Sequence, residues 1–217
     1  MKAVLWDLDG TLLYTLQDLT NATNATLEAF GYPQRTLEEV CTFVGNGAEN
    51  QMRMALGQEP ENFEEIMAWY RAYYPQHCNE TTRVYEGIPE AAKTLLDKGW
   101  KLAIVSNKPD DATKALWKTY FPTFTAALGQ KPPLRRKPYP DMVLKTMEEL
   151  GITKAIYVGD SDVDVKTAKA AGLPCISALW GYRSKEVLEE AGATCFAQKP
   201  TDIPALAQAL WEQVYGA

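Results

Sequence analysis

Two aspartates near the N-terminus stand two positions apart, in the stretch VLWDLDGTLLYT of residues 4 to 15. Asp7 and Asp9 follow an apolar run that indicates a short buried strand over residues 2 to 7. Beyond a strand end the chain turns, so carboxylates at i and i+2 can face one substrate. One can attack an electrophile while the other handles the proton of the leaving group. Gly10 would permit the sharp turn that this arrangement requires.

Three further polar clusters follow in the chain. One apolar segment ends in Ser106-Asn107-Lys108, a loop carries Lys137 just before a helical pattern, and another strand-like segment ends in the stretch GDSDVD, which contains Asp160 and Asp164. In a parallel α/β sheet the ligand crevice lies beyond the carboxyl ends of the strands, so we expect these clusters on one rim.

The residue types on this rim indicate phosphoryl transfer. Several carboxylates in one crevice repel each other unless a cation joins them. Carboxylates, a carbonyl, waters and substrate phosphate are typical ligands of Mg²⁺. Lys137 can act as a point charge against phosphate oxygens, and the Ser106 hydroxyl can bind the same anion beside backbone N–H groups.

Each cluster also has a simpler interpretation when taken alone. D-x-D-G is often only a turn, and GDSDVD could be a strand-to-helix turn capped by Ser161 or Asp162. GDSDVD also resembles the start of an EF-hand loop. Such a loop needs glycine at position 6 and glutamate at position 12, and this sequence has Val165 and Ala171 there. The joint occurrence of four clusters in this order favours the catalytic interpretation.

The elements that would position these residues alternate from residue 84 onward. Strand patterns alternate with helical ones, which implies right-handed crossovers and a mostly parallel sheet covered on both faces. The predicted fold class is therefore α/β, a Rossmann-like doubly wound parallel sheet. The strands are KLAIVS, AIYVGD, PCISAL and TCFA; the helices are one opened by Pro89, DDATKALWKTY, PDMVLKTMEELG, DVKTAKAAG, SKEVLEEAG and TDIPALAQALWEQV.

A helical segment interrupts this pattern after the first strand. Apolar residues recur at helical spacing from Leu16 to Phe30, a second helix starts where Thr36 and Glu39 have the spacing of a capping box, and further helices are predicted around 48–56 and 61–74. The last helix carries an apolar stripe that indicates a packing face rather than a cofactor site. The stripe comprises Phe63, Ile66, Met67, Tyr70 and Tyr74.

We therefore predict a catalytic core of residues 1–14 and 84–217 and an inserted all-helical cap domain of residues 15–83. Between residues 15 and 80 the cap has ten acidic residues, three arginines and no lysine, in a chain of net charge −6. Nucleic-acid binding needs clustered positive charge, so this composition argues against a nucleic-acid partner. It favours a small phosphomonoester over polyanions.

Bulk composition bounds the remaining possibilities. The chain has 217 residues and 46% hydrophobic content, enough to fill the core of one large or two modest domains. No run approaches the roughly 18 apolar residues of a membrane span, and the N-terminus is unlike a signal peptide. We expect a cytoplasmic protein, monomer or homodimer, with no membrane partner. Four widely spaced cysteines and a single histidine, His77, argue against zinc sites and disulfide frameworks.

The four clusters resemble the motifs of the haloacid dehalogenase superfamily, over nearly the whole chain. They are DLDGT, the serine of IVSNK, the lysine of RKPYPD, and GDSDVD. The resemblance implies a Mg²⁺-dependent phosphohydrolase with an alpha-helical cap, acting on a small-molecule phosphoester. Asp7 would be the nucleophile that forms an aspartyl-phosphate and Asp9 the general acid/base, while Ser106 and Lys137 would stabilise charge.

The same resemblance implies where metal and substrate bind. The stretches TFVGNGAENQM, GDSDVDVKTAKAAG and LWGY are similar to phosphoglycolate phosphatases and their close relatives. Tyr14 is a departure, because many relatives have Asp at that position. The implied metal ligands are Asp7, the carbonyl of Asp9, and Asp160, supported by Asp164. Thr11 and Asn107 would line the phosphate site. Gly45 and Asn46 would lie on the cap loop that closes over the substrate.

Several related activities are alternatives. Dehalogenases of the superfamily lack the acid/base at the position of Asp9, and phosphonate-cleaving relatives need a cap lysine that this cap does not have. Sugar phosphomutases place an arginine in the cap loop, whereas the VGNG loop has no base before Arg53. A mutase or a pyrophosphatase remains an alternative. A non-enzymatic phospho-acceptor domain is opposed by the D-x-D-G-T spacing and by the insertion.

Overall fold

Residues 1–216 are described by a computed structural model, in which eight strands form a six-stranded sheet and a two-stranded pair. The strands are β1 (Ala3–Trp6), β2 (Leu13–Tyr14), β3 (Arg83–Val84), β4 (Lys101–Pro109), β5 (Ala126–Gln130), β6 (Ile156–Gly159), β7 (Cys175–Ala178) and β8 (Phe196–Ala197). The large sheet has the order β5-β4-β1-β6-β7-β8, and all its neighbouring strands are parallel. The antiparallel pair is β2 with β3.

Ten α-helices lie within the described range, four of them between β2 and β3. They are α1 (Leu16–Ala29), α2 (Leu37–Phe43), α3 (Ala48–Leu56), α4 (Phe63–His77), α5 (Ile88–Asp97), α6 (Asp110–Tyr120), α7 (Asp141–Leu150), α8 (Asp162–Ala170), α9 (Lys185–Glu190) and α10 (Ile203–Tyr215). Among residues 1–216, none of the helices combines the length and the apolarity that a membrane crossing requires.

Both faces of the large sheet are covered. Val4 and Trp6 of β1 belong to a buried apolar cluster that includes side chains of α5, α6 and α10. Ala3 and Leu5 belong to a second cluster that includes side chains of α7 and α8. Side chains of a strand alternate between the two faces, so β1 is buried on both, as central parallel strands are. The predicted α/β class and doubly wound arrangement are confirmed.

The sequence patterns missed three strands. β5 contains two alanines and a glycine and lacks the β-branched, alternating pattern that indicates a strand. A Cβ on Gly129 would lie 2.5 Å from the Cα of Asp110, so close packing against α6 explains the glycine. β2 and β3 have two residues each, and their pairing joins segments about seventy residues apart, which no local pattern reports.

The helical insertion has an apolar cluster of its own. The stripe on α4 is buried in it, as predicted, and the capping box of Thr36 and Glu39 opens α2. Because this cluster is built mainly from α1 to α4 and the segment leaves the core through β2 and β3, we propose that residues 15–83 form a cap on a core of residues 1–14 and 84–217.

Asp18 ties the two ends of the insertion together. Its carboxylate, fully buried in α1, accepts hydrogen bonds from the backbone N–H groups of Glu80, Thr81 and Thr82 and from the hydroxyls of both threonines, at 2.6 to 3.1 Å. A buried carboxylate satisfied in this way holds the exit of the insertion against its entrance.

We expect Asp18→Ala to lower the free energy of unfolding by about 3 kcal/mol, because it removes the shared acceptor of three backbone N–H groups and two hydroxyls, those of the buried Thr82 among them. Urea denaturation of the variant beside wild type measures the change. Asp97→Ala is the control, since the Asp97–Lys93 pair is exposed and its loss should cost less than about 1 kcal/mol. Equal, small losses in both variants would contradict the role given to Asp18.

Candidate active site

Three neighbouring parallel strands bring the predicted residues to one edge of the sheet. Asp7 directly follows β1, and Asp160 directly follows β6. Ser106 lies in β4, which pairs with the other side of β1, in a stretch where the pairing with β5 shifts register. Such an irregularity redirects side chains at the end of a strand. Lys137 enters from the loop between β5 and α7.

The centre of the site is a buried group of three carboxylates and one ammonium. Asp7, Asp160 and Asp164 each have a carboxylate oxygen within 4.8 Å of those of the other two. The Nζ of Lys137 lies 2.9 Å from Oδ1 of Asp7 and 2.7 Å from Oδ1 of Asp164. It also donates to the hydroxyl of Tyr157, at 3.1 Å.

Two glycines make room for Asp160. Gly10 has a positive φ of 85°, so the turn predicted there is present, and a Cβ at this position would lie 2.3 Å from Oδ2 of Asp160. A Cβ on Gly181 would lie 2.2 Å from the Cβ of the same aspartate. Only residues without a side chain allow both segments to approach the carboxylate.

The start of α8 fixes Asp164. The Ser161 hydroxyl accepts a hydrogen bond from the N–H of Asp164, and the backbone N–H of Ser161 donates to Oδ2 of Asp164 at 3.1 Å, which completes a capping box. The Ser161 hydroxyl also donates to the same Oδ2 at 2.6 Å. The simpler interpretation of GDSDVD as a capped helix start is therefore correct at Ser161. The same cap also places Asp164 in the carboxylate group, so the two interpretations describe one structure.

Burial perturbs two of these carboxyl groups, those of Asp7 and Asp160. It raises the pKa of Asp7 to about 8, with the charge of Asp164 adding to the effect and the Lys137 ammonium opposing it. Burial likewise raises the pKa of Asp160 to about 7, again with a contribution from Asp164. When all three carboxyl groups are ionised, the single Lys137 ammonium leaves negative charge uncompensated. A buried set of hard oxygen donors suits a divalent cation such as Mg²⁺.

Asp9 lies outside this group and has its own partners. Its Oδ1 accepts hydrogen bonds from the Thr15 hydroxyl at 2.7 Å and from the Nζ of Lys108 at 2.9 Å. The Thr15 hydroxyl is in turn 3.2 Å from the hydroxyl of Tyr182. Lys108 also donates to the hydroxyl of Tyr74, which comes from α4 of the insertion. The two aspartates of D-x-D therefore face different environments.

A cavity lies between the sheet edge and the insertion. Asp7, Asp9 and Ser106 line its core side, and Gly45, Gln51 and the two tyrosines of the α4 stripe are among those that line the insertion side. It measures about 30 Å³, whereas an adjoining cavity that shares part of this lining measures about 290 Å³. The smaller one therefore has room only for a small group next to Asp7.

The remaining predicted site residues are distributed as follows. Thr11 is buried and donates its hydroxyl to Oδ1 of Asp160 at 2.8 Å. Asn107 lines the cavity, but its amide group is used within the protein: it accepts from the N–H of Lys137 and donates to the carbonyls of Lys137 and Gly45. Among the residues described, Gly45 lines the cavity and Asn46 does not. Direct phosphate contacts of Thr11 and Asn107 stay predictions.

Sequence patterns did not single out Lys108 and Tyr74, which line the cavity, or Arg183, which contacts the insertion. The sequence pattern marks Lys108 only as a strand end, although its position directly after Ser106 and Asn107 is a usable signal. Tyr74 was predicted as packing, which is correct, but its hydroxyl also meets Lys108. Arg183 of the core donates to the carbonyls of Cys41 and Thr42 at the end of α2, at 2.8 and 3.3 Å, and so fastens the insertion to the core.

The fold and this constellation define an α/β enzyme whose site is built from carboxylates and lysines beneath a helical insertion. Residues 4–178 match the haloacid dehalogenase-like hydrolase family. The chain therefore belongs to the haloacid dehalogenase-like hydrolases.

Named relatives narrow the type of enzyme. The chain is 34% identical over 191 residues to the phosphoglycolate phosphatase of Aquifex aeolicus, covering 84% of this chain and 86% of that protein. It is 33% identical over 196 residues to that of Cereibacter sphaeroides, covering 87% and 90%. A crystal structure of a protein from Lactobacillus delbrueckii subsp. bulgaricus, described as a candidate phosphoglycolate phosphatase, superposes with a TM-score of 0.83 at 33% identity. The match covers 99% of this chain and 98% of that one. The chain is a phosphatase of this family that acts on small phosphoesters.

Proposed function

We propose that the protein is a Mg²⁺-dependent phosphatase that hydrolyses a small phosphomonoester through an aspartyl-phosphate on Asp7. The observation that carries this proposal is that the two aspartates have different surroundings. Asp7 lies among the buried carboxylates of Asp160 and Asp164 and contacts Lys137. Asp9 lies outside that group and accepts hydrogen bonds from Lys108 and Thr15. Two carboxylates in different environments can divide nucleophilic and proton-transfer duties.

The reaction takes two steps on these side chains. Asp7 attacks phosphorus, forming an acyl-phosphate bond as the ester P–O bond breaks, and protonated Asp9 gives its proton to the leaving oxygen. Water then attacks the same phosphorus, Asp9 takes its proton, and inorganic phosphate leaves with Asp7 restored. Bound Mg²⁺, held by Asp7, the carbonyl of Asp9 and Asp160 with support from Asp164, would offset the charge of the carboxylates and of the phosphoryl group.

Two residues support the charge that develops on the phosphoryl oxygens. Lys137 is only 1% exposed and already contacts Asp7, so its ammonium acts beside the reacting atoms. Preorganised charge in a water-poor site stabilises a transition state more than it would in water. Ser106 lines the same cavity, and its hydroxyl accepts a hydrogen bond from the N–H of Lys108 at 3.3 Å.

The substrate that we propose is phosphoglycolate or a close analogue. The relatives with about one-third identity over most of the chain are phosphoglycolate phosphatases. The small volume beside Asp7 and the acidic insertion both favour a compact monoester over a nucleotide or a polyphosphate.

The test is inorganic phosphate release from a panel that contains phosphoglycolate, hexose phosphates, nucleoside monophosphates and pyrophosphate, with Mg²⁺ present. We expect the highest kcat/KM for phosphoglycolate, by at least about tenfold, since a buried charged contact is worth about 1.5 to 3 kcal/mol. Preference for pyrophosphate would identify the pyrophosphatase alternative. A stable acyl-phosphate on Asp7 without turnover would favour the mutase or the phospho-acceptor.

A further inference from the structure

Lys108 is a buried ammonium in the cavity that contains the nucleophile. Its side chain is 1% exposed, and it lines the cavity together with Asp7 and Asp9. The Nζ donates to Oδ1 of Asp9 and to the hydroxyl of Tyr74. None of the roles proposed above uses this residue.

The hydrogen bonds of Lys108 leave capacity for a ligand. An ammonium group has three N–H donors, and two acceptors contact it among residues 1–216. Desolvated cations are costly unless they are paired and fully hydrogen-bonded. Because Lys108 lines the cavity, an anionic acceptor in the cavity can take the third donor.

The position of Lys108 defines which part of a substrate it meets. Asp9 delivers the proton to the leaving oxygen, so Lys108, 2.9 Å from Asp9, lies on the leaving-group side. In a phosphorylated hydroxy acid such as phosphoglycolate, a single methylene separates the ester oxygen from the carboxylate. That carboxylate therefore comes close to whatever stands beside Asp9.

We propose that Lys108 recognises a carboxylate on the leaving group and so selects small phosphorylated hydroxy acids. This inference rests on the proposed function and names the residue that decides its specificity.

A second cation nearby is less well placed for this role. Arg136 is exposed, lines only the larger adjoining cavity, and has its guanidinium 3.6 Å from where a Cβ of Gly47 would stand. Arg136 belongs to the core and lies beside the insertion loop at Gly47, in the larger cavity. A longer substrate would extend into that cavity. Lys108 shares the smaller cavity with Asp7, and burial strengthens its interaction with an anion.

Two esters that differ only at the carboxylate test the proposal. We would measure kcat/KM for 2-phosphoglycolate and 2-hydroxyethyl phosphate with wild type, Lys108→Met and Arg136→Met. In Lys108→Met we expect the ratio of the two values to fall by about 10- to 100-fold, the loss of one charge-assisted hydrogen bond. In Arg136→Met we expect the ratio to stay within about twofold.

Equal losses for both esters in Lys108→Met would show that Lys108 only positions Asp9, and would overturn the proposal. A fall of the ratio confined to Arg136→Met would also overturn it. If Lys108→Met does not fold, the wild-type ratio decides: a strong preference for 2-phosphoglycolate supports the carboxylate contact, and a ratio near one refutes it. Phosphate release from other monoesters but from neither of these would refute the inference while the proposed phosphatase stands.

Discussion

We expect Asp7→Asn to abolish turnover, lowering phosphate release by at least about 10⁴-fold, because an amide cannot form the acyl-phosphate on which the proposed reaction depends. The protein remains folded, since the substitution is nearly isosteric. It also removes one of three neighbouring buried carboxylates, and burial raises the pKa of this one, Asp7. Steady-state phosphate release with phosphoglycolate and Mg²⁺ measures the loss, and thermal melting measures the fold.

A nearby aspartate provides the matched control. Asp162 begins α8, and its carboxylate pairs with Lys166 outside the carboxylate group. Asp162→Asn removes the same charge by the same substitution, and we expect its activity to stay within about twofold of wild type. Full activity in Asp7→Asn with an unchanged melting curve would remove the nucleophile from the mechanism. Comparable losses in both variants would show that the effect is one of net charge.

Removal of Mg²⁺ by a chelator should have an effect of similar size, returning phosphate release to background. Three buried carboxylates share one lysine, so without a cation the substrate phosphate would enter a site of excess negative charge. Re-addition of Mg²⁺ beyond the chelator should restore the rate. An undiminished rate in chelator would contradict the proposed metal dependence.

Melting temperature gives a second readout of the cation that is independent of turnover. The pKa of Asp7 is raised to about 8 and that of Asp160 to about 7 by burial, from an ordinary value of 3.8. The folded protein therefore binds protons that the unfolded chain has lost, so its stability without metal falls as pH rises from about 4 to about 8. A cation that replaces those protons should stabilise the protein most at high pH.

We expect Mg²⁺ at one fixed concentration, ten times its Kd at pH 8, to raise the melting temperature by roughly 3 to 6 °C at pH 8, and by much less at pH 5.5, where protons compete for the carboxylates. Asp160→Asn should remove most of this shift, and NaCl at equal ionic strength should not reproduce it. A Mg²⁺ effect that is the same at both pH values, or that persists in Asp160→Asn, would show that the cation binds elsewhere.

The positions of the main helices and of the sheet's central strands follow from local patterns. The predicted helices over 48–56 and 110–120 have the bounds of α3 and α6, and the capping box at Thr36 opens α2. Side-chain periodicity and capping act between residues a few positions apart, so a sequence reports them directly. Local patterns did not predict β5 or the β2–β3 pair, because short strands are stabilised by partners that are distant in the sequence.

Sequence patterns alone predict that Asp7, Ser106, Lys137 and Asp160 meet at one edge, because parallel strands end on the same side of their sheet. The partners of each side chain become visible only once the chain is folded. The contact of Lys108 with Asp9 spans 99 positions, and Tyr74, the other partner of Lys108, comes from α4 of the insertion. Such contacts depend on how the insertion packs against the core. Local sequence patterns involve residues a few positions apart, so they do not report which distant side chains come into contact.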